Sequence, residues 1–437
     1  MTVTGNIVGY ASNTQTGTYT LTGVGTGAKF QGIVFNGITG GTLSSVNNNT
    51  VAAVNLSGVT SGGASTLSPF LGLMVINGLA NTNNNTIGSQ AAINSLVFST
   101  NTTLSTDVYG IFNFSIDNWT ANNNNIGGIQ VTNAAASGTF LVYGMRGNTT
   151  TGLTWNAADN LVGGTVANSI SLSGTGTASQ VVGMQTPNAI STFSRNTIRN
   201  LTTNIGTGTT SAASVAGIIF TSTTPNQNVS QNTIHTLTNT NATAASVVSG
   251  IHFTGGTGNV VERNLIYNLI VATNSVTAEV NGIRVSGGTT TYRNNMIALG
   301  ANITNAIGSA ASNSGTSGIN GFNGALGTDT FIHNSVYIGG APTAGTGASY
   351  AFNGTQTVNT RSFRNNIFFN GRSNAGATGT NYAVKINGTA PNPTGLTINN
   401  NVYFANGSGA SFGFFNSANV ANLAAWQAAV GPDATSL

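Results

Sequence analysis

The 437-residue chain has no cysteine, so neither a disulfide framework nor a thiolate metal site is open to it. Charge is almost as scarce: 11 basic and 7 acidic side chains, where an average soluble domain is roughly one-quarter charged. A net charge of +4 spread over this length makes no basic stripe, so nucleic acid is not an expected partner. Low charge combined with 39% hydrophobic residues also excludes the charge-rich, apolar-poor composition of disordered chains. Proline numbers only 7 and glycine has no three-residue period, which excludes a collagen-like helix. No long apolar run exists. The longest, residues 70–76, is far too short to cross a bilayer, so no transmembrane segment is expected. The first twenty residues, MTVTGNIVGYASNTQTGTYT, lack the basic and apolar regions of an export signal. For an exported protein, that signal is expected outside this chain.

What the chain does contain is 59 glycines together with abundant Asn, Thr, Ser and Ala, a mixture that disfavours helix and favours strands and turns. Two short signals recur. The first is Asn, any residue, then an aliphatic, whose last positions are Val51, Ile87, Ile126, Val162, Ile198, Ile234, Ile266, Met296, Val336, Ile367 and Val402. The second is a small residue followed by an apolar one, usually Gly-Ile, as at Ile33, Leu73, Ile111, Met145, Met184, Ile218, Ile251 and Ile283. It continues at Ile319, Phe352, Val384 and Phe414. Both series repeat every 30 to 40 residues and interleave along most of the chain.

Each repeat holds short strand-like runs such as VAGIIF at 215–220, separated by turn formers such as TSTTPNQ. None holds a ten-residue segment of helical period, which excludes leucine-rich, ankyrin and TPR arrays. The repeats are also too short, with too few strands, for propeller blades. The remaining solution is all-β: a right-handed, single-stranded parallel β-helix of about twelve coils, each stacked about 4.8 Å above the last. Ile198, Ile234 and Ile266 are then expected in one buried column. Asn and Gly tolerate the left-handed backbone of a tight bend, and stacked Asn amides can hydrogen-bond between coils. The column Asn196, Asn232, Asn264, Asn294, Asn334, Asn365 and Asn400 is therefore read as structural.

The pattern N-T-I-x-x-L followed by G-I-x-F resembles the parallel β-helix repeat of the pectate-lyase-like superfold, over nearly the whole chain. The final stretch, NLAAWQAAVGPDATSL at 422–437, resembles the segment that follows such helices in secreted surface proteins of Bacteroidota. In those proteins more chain usually follows, often ending in a type IX secretion sorting domain. The resemblance implies an extracellular or cell-surface location and a module of a larger polypeptide. The expected organisation is a β-helix over 1–421 and a C-terminal capping segment over 422–437, with Trp426 over the open end of the last coil.

Enzymes of this fold class need two or three ionisable groups within a few ångströms. The seven acids, Asp107, Asp117, Asp159, Asp329, Asp433, Glu262 and Glu279, share no column in neighbouring coils. His235, His252 and His333 lie at different phases, and the Gly-rich strings lack a phosphate-binding Lys. No catalytic residue, metal or cofactor is expected. Two columns suggest binding instead. The residue before the Asn includes Arg263, Arg293 and Arg364; the residue after the aliphatic includes Tyr267, Tyr337, Phe368 and Tyr403. If the aliphatic points inward, alternation puts those rings outside, beside cations, as a strip suited to sugar rings and acidic glycans. The competing reading is that these columns only stabilise a solenoid face. Trp119 and Trp155 could stack on sugar or pack locally.

The expected function is a non-catalytic extracellular module, adhesin-like or structural, with glycan or other surface proteins as partners. The alternatives are a carbohydrate-active lyase or hydrolase, an ice-binding solenoid, for which no Thr-x-Thr column keeps a constant phase, and a repeated subunit of a larger surface assembly.

Overall fold

The computed structural model describes all residues except 24, 148–149, 177, 206–212, 222, 274, 276–277, 301–317, 325–326, 344 and 432. The chain divides into two compact units, Met1–Thr207 with Ser214–Thr224, and Gly208–Ala213 with Pro225–Leu437. Each is an all-β parallel solenoid, and each of its three faces is six strands deep among the described residues. The expectation of about twelve coils is thus closely met. No helix among the described residues is long and apolar enough to cross a membrane.

A coil runs through a short first face, a sharp corner, a second face, a loop, a third face and a return loop. One coil of the second unit shows the plan, with strands Asn259–Glu262, Leu265–Val271 and Glu279–Val285. The next coil repeats it as Thr289–Arg293, Met296–Leu299 and Ile319–Gly324, paired in parallel on every face. In the first unit the second face is broken in most coils into two segments, such as Thr50–Ala52 and Val54–Val59.

The corner before the second face is made by two adjacent residues with different duties. One takes the left-handed conformation, with φ between 53° and 59°: Asn48, Asn84, Asn123, Asp159 and Arg195 in the first unit. In the second it is Gln231, Arg263, Asn294, His333, Asn365 and Asn400. Left-handed backbone costs about 1–2 kcal/mol for an ordinary L-residue, so something must hold Arg, Gln and His there. The residue that follows does so. Asn264 Nδ2–H donates to Asn295 Oδ1 (2.9 Å) and to the Val229 carbonyl (3.0 Å), while its backbone N–H donates to the same Asn295 Oδ1 (3.2 Å). The pattern continues through Asn295, Asn334, Asn366 and Asn401. In the first unit it runs Asn6, Asn49, Asn85, Asn124, Asn160, Asn196. From Asn49 onward these amides are buried, so each must be fully satisfied.

The expected Asn column therefore needs correction. The bend and the ladder belong to neighbouring residues, and in three coils the ladder member is Asn295, Asn366 or Asn401 rather than Asn294, Asn365 or Asn400. One residue of slip reverses every side chain on a strand. Ile266 thus pairs with Ile297, not Met296, and the inward column of the second unit is Ile234, Ile266, Ile297, Val336, Phe368 and Tyr403. Met296, Ile367 and Val402, expected inside, are exposed.

The second signal also has a steric reason. A Cβ on Gly144 would lie 2.3 Å from Val162 Cγ1 and 2.6 Å from the Gly183 carbonyl; one on Gly282 would lie 2.6 Å from both Ile297 Cγ2 and the Gly321 carbonyl. The same holds at Gly72, Gly110, Gly183, Gly250 and Gly321. The aliphatic of the second face fills the space that a third-face side chain would need. Aromatic stacks from the first face are buried in the core: Trp119 on Trp155 (centroids 4.6 Å apart) in the first unit, Tyr292–Phe331–Phe363 in the second. The last coil is closed by Ala418–Val420 and helix Leu423–Val430, whose Trp426 is fully buried beside Tyr403, Phe412 and Phe415. Asp433 accepts from Trp426 Nε1 (2.8 Å) and Tyr403 Oη (2.9 Å), and Ser436 Oγ accepts from the Asn401 backbone N–H (2.8 Å), ending the ladder.

Two substitutions test this packing. Gly144→Val should lower the unfolding free energy by about 1–3 kcal/mol through overpacking. Asn264→Leu should cost at least about 2 kcal/mol by stranding buried partners in the ladder. Thermal and denaturant unfolding measure both, and wild-type curves for both variants would contradict the register.

Candidate functional site

The second face of the second unit carries two outward columns. One is Leu265, Met296, Ser335, Ile367 and Val402; the other is Tyr267, Ala298, Tyr337, Phe369 and Phe404, with His235 below Tyr267. Rings follow one another at 4.7 Å for His235–Tyr267, 5.2 Å for Tyr337–Phe369 and 4.9 Å for Phe369–Phe404. Met296 is 59% exposed, Phe404 50% and Ile367 47%, so the strip is open to solvent.

Of the sequence-derived candidates, Tyr267 and Tyr337 lie on this strip. Phe368 and Tyr403 do not: they are 0% and 4% exposed and point into the core, because the ladder Asn of their coils is one residue later than expected. Phe369 and Phe404 take their places. The doubled Asn in NNM, NNI and NNV, each followed by further apolar residues, carried the missing signal. Only the second Asn keeps both a ladder amide and a left-handed neighbour before it.

The arginine column divides for the same reason. Arg263 occupies the left-handed corner, whereas Arg293 and Arg364 end first-face strands, in register with Glu262, Ile332 and Asn399. Glu262, 6% exposed, receives both Arg263 Nη2 and Arg293 Nε, and these two guanidiniums hold its carboxyl below the usual range against the opposing effect of burial. Arg364 is exposed and has no ion pair among the described residues. Trp119 and Trp155, 2% and 1% exposed, are core residues and cannot meet a sugar.

The third face presents polar clusters that the sequence reading missed. In the second unit, Asn320 Nδ2–H donates to Asn281 Oδ1 (3.0 Å), Asn353 Nδ2–H to Asn320 Oδ1 (2.9 Å), and Arg284 to Glu279 (3.1 Å). Tyr350 stacks on Tyr382 at 5.1 Å, with the Lys385 ammonium 5.2 Å from the Tyr350 ring. His252 Nε2 lies 2.7 Å from Ser286 Oγ; burial, and then the Arg284 charge, pull the imidazole down to about 4, so it is neutral near pH 7. In the first unit Asp107, Tyr109 and Arg146 close a triangle: Arg146 Nη1 lies 3.1 Å from Asp107 Oδ2 and 2.9 Å from Tyr109 Oη. Among the described residues no three His, Cys, Asp or Glu side chains gather as a metal site would require.

Asp329 stands apart. It is 2% exposed and neither oxygen has a hydrogen-bond partner of good geometry; its register neighbour Arg361 is turned to the carbonyls of Asn359, Thr394 and Asn387. Burial pushes its carboxyl up to about 7, only partly offset by the Thr290 and Gly327 backbone. The unfolded chain releases this proton near pH 4 and the folded chain near 7, so the group destabilises the fold progressively between those values and fully above them. Asp329→Asn should therefore leave stability unchanged below pH 4 and raise it at pH 8, on the order of a few kcal/mol. Unfolding curves at both pH values measure this, and an unchanged gap between them would refute it.

Comparison with family models, with curated proteins and with solved structures finds no match to this chain.

Proposed function

We propose that the chain is a non-catalytic extracellular module, adhesin-like or structural, that holds glycan along the outward aromatic strip of its second unit. The observation that carries this reading is the in-register series Tyr337, Phe369 and Phe404, solvent-facing rings spaced one coil apart. Rings presented in this way stack on the apolar faces of sugars, and the nearby arginines favour acidic polymers. The acids support the non-catalytic part. Asp107, Asp159, Glu262 and Glu279 are held in ion pairs, Asp433 in the C-terminal cap and Asp117 by the Gly40 backbone, while Asp329 is buried alone. Surface display, as in the Bacteroidota proteins whose β-helix repeat and tail this chain resembles, is part of the same proposal. Such a module would be one part of a larger exported polypeptide.

The test is retention on immobilised polysaccharides and a glycan array. Tyr337→Ala combined with Phe369→Ala should weaken retention at least about tenfold, equivalent to roughly 1.4 kcal/mol, with an unchanged melting temperature. Phe368→Ala, one residue away but inward, should instead cost about 3–5 kcal/mol of stability. A wild-type protein that no glycan retains would leave a purely structural module as the reading.

A further inference from the structure

The aromatic column of the second unit lacks one ring. Ala298 stands in register between Tyr267 and Tyr337, so a methyl group occupies a rung where its neighbours carry rings. Rungs are about 4.8 Å apart, which places the two flanking rungs roughly 9.6 Å from each other. A groove of about 250 Å³ opens there, with Ala298 at its floor and Leu265, Met296, Ile367 and the two tyrosines around it. An apolar cavity of about 150 Å³ is enough to hold benzene.

We propose that this slot receives the aromatic side chain of a partner polypeptide whose flanking residues are acidic. An incoming ring would sit one rung from each tyrosine, the 4.7–5.2 Å separation at which the column's own rings already pack. The lining is almost wholly carbon, with Ser335 as its polar side chain apart from the tyrosine hydroxyls. A sugar pushed edge-on into such a slot would leave hydroxyls without partners, whereas a benzenoid or indole ring loses nothing there. Charge selects the flanks. Arg293 lies on the same coil as Ala298 and Arg263 on the preceding one; they share the single carboxylate of Glu262 and are 48% and 54% exposed in their side chains. Two guanidiniums against one carboxylate leave a net positive edge beside the slot, complementary to Asp or Glu on either side of the ring.

The experiment uses fluorescein-labelled peptides as probes, read by anisotropy at low and at physiological salt: Glu-Glu-Phe-Glu-Glu, Glu-Glu-Ala-Glu-Glu and Lys-Lys-Phe-Lys-Lys. The acidic Phe peptide should bind at least tenfold more tightly than either control. Ala298→Phe fills the slot from within and should abolish that preference without lowering the melting temperature, while Arg293→Gln should flatten its salt dependence. Should Ala298→Phe fail to fold, Tyr337→Ser removes one wall instead and should have the same effect on binding. Equal binding of all three peptides, no binding of any, or undiminished binding to folded Ala298→Phe would each overturn the proposal. So would concentration-dependent self-association that Ala298→Phe abolishes, since the occupant would then be a second copy. The glycan reading stands or falls separately. Ala298→Phe should keep polysaccharide retention, because it adds a ring to the strip; loss of retention would assign the slot to sugar.

Discussion

Each coil has to turn sharply into its second face at the same height above the coil beneath, and the buried asparagine ladder makes that turn repeatable. A single amide satisfies the next asparagine, a carbonyl across the corner and, through its own oxygen, two donors from the preceding coil. With those bonds made, the left-handed residue before it can be Asn, Asp, Gln, Arg or His, because the corner is held by its neighbour rather than by its own preference. Everything else inherits its register from this point. The aliphatic two residues on points inward, the glycine of the third face leaves it room, and the strand residues on either side of the aliphatic face outward.

That dependence explains how much of the architecture was legible in the sequence. The solenoid showed itself because the Asn and Gly-Ile signals obey one geometric requirement from two sides: Val162 fills the space beside Gly144, as Ile297 does beside Gly282. Repeat length and fold class follow from that pairing without knowledge of the loops. The candidate site was less legible for a local reason. Where two asparagines adjoin, the pattern can be entered at either, and the choice decides whether Phe368 or Phe369 faces solvent. The polar clusters of the third face were hidden differently. Asn281, Asn320 and Asn353 are brought together by stacking across 30- to 40-residue intervals, and their spacing competes with many other asparagines in an Asn-rich chain.

The second and third faces of the second unit differ in chemical character although they share a scaffold. The second face shows apolar and aromatic side chains to solvent, with charge confined to its corner edge. The third face is a hydrogen-bonded lattice of amides with an ion pair and stacked tyrosines, much of it buried. A lattice whose donors and acceptors already pair with one another is suited to holding its own shape. An exposed apolar column has no such closure, which is why recognition is assigned to it.

The ladder also has a direction. The backbone N–H and one amide hydrogen of each asparagine point toward the coil that follows, while the other amide hydrogen bonds a first-face carbonyl of the coil before. In the second unit the line stops at Ser436, whose hydroxyl takes the backbone donor of Asn401. Every inner member accepts from the coil before it through its side-chain oxygen and donates to the coil after it, so each rung offers its neighbours the same complementary pair. A whole coil could therefore be deleted or duplicated inside a unit and the line would close again, while a partial coil would leave amides facing nothing. Length in this fold is quantised: it can change in steps of one turn, whereas the terminating serine and its tryptophan–aspartate clasp can be used only once, at the end.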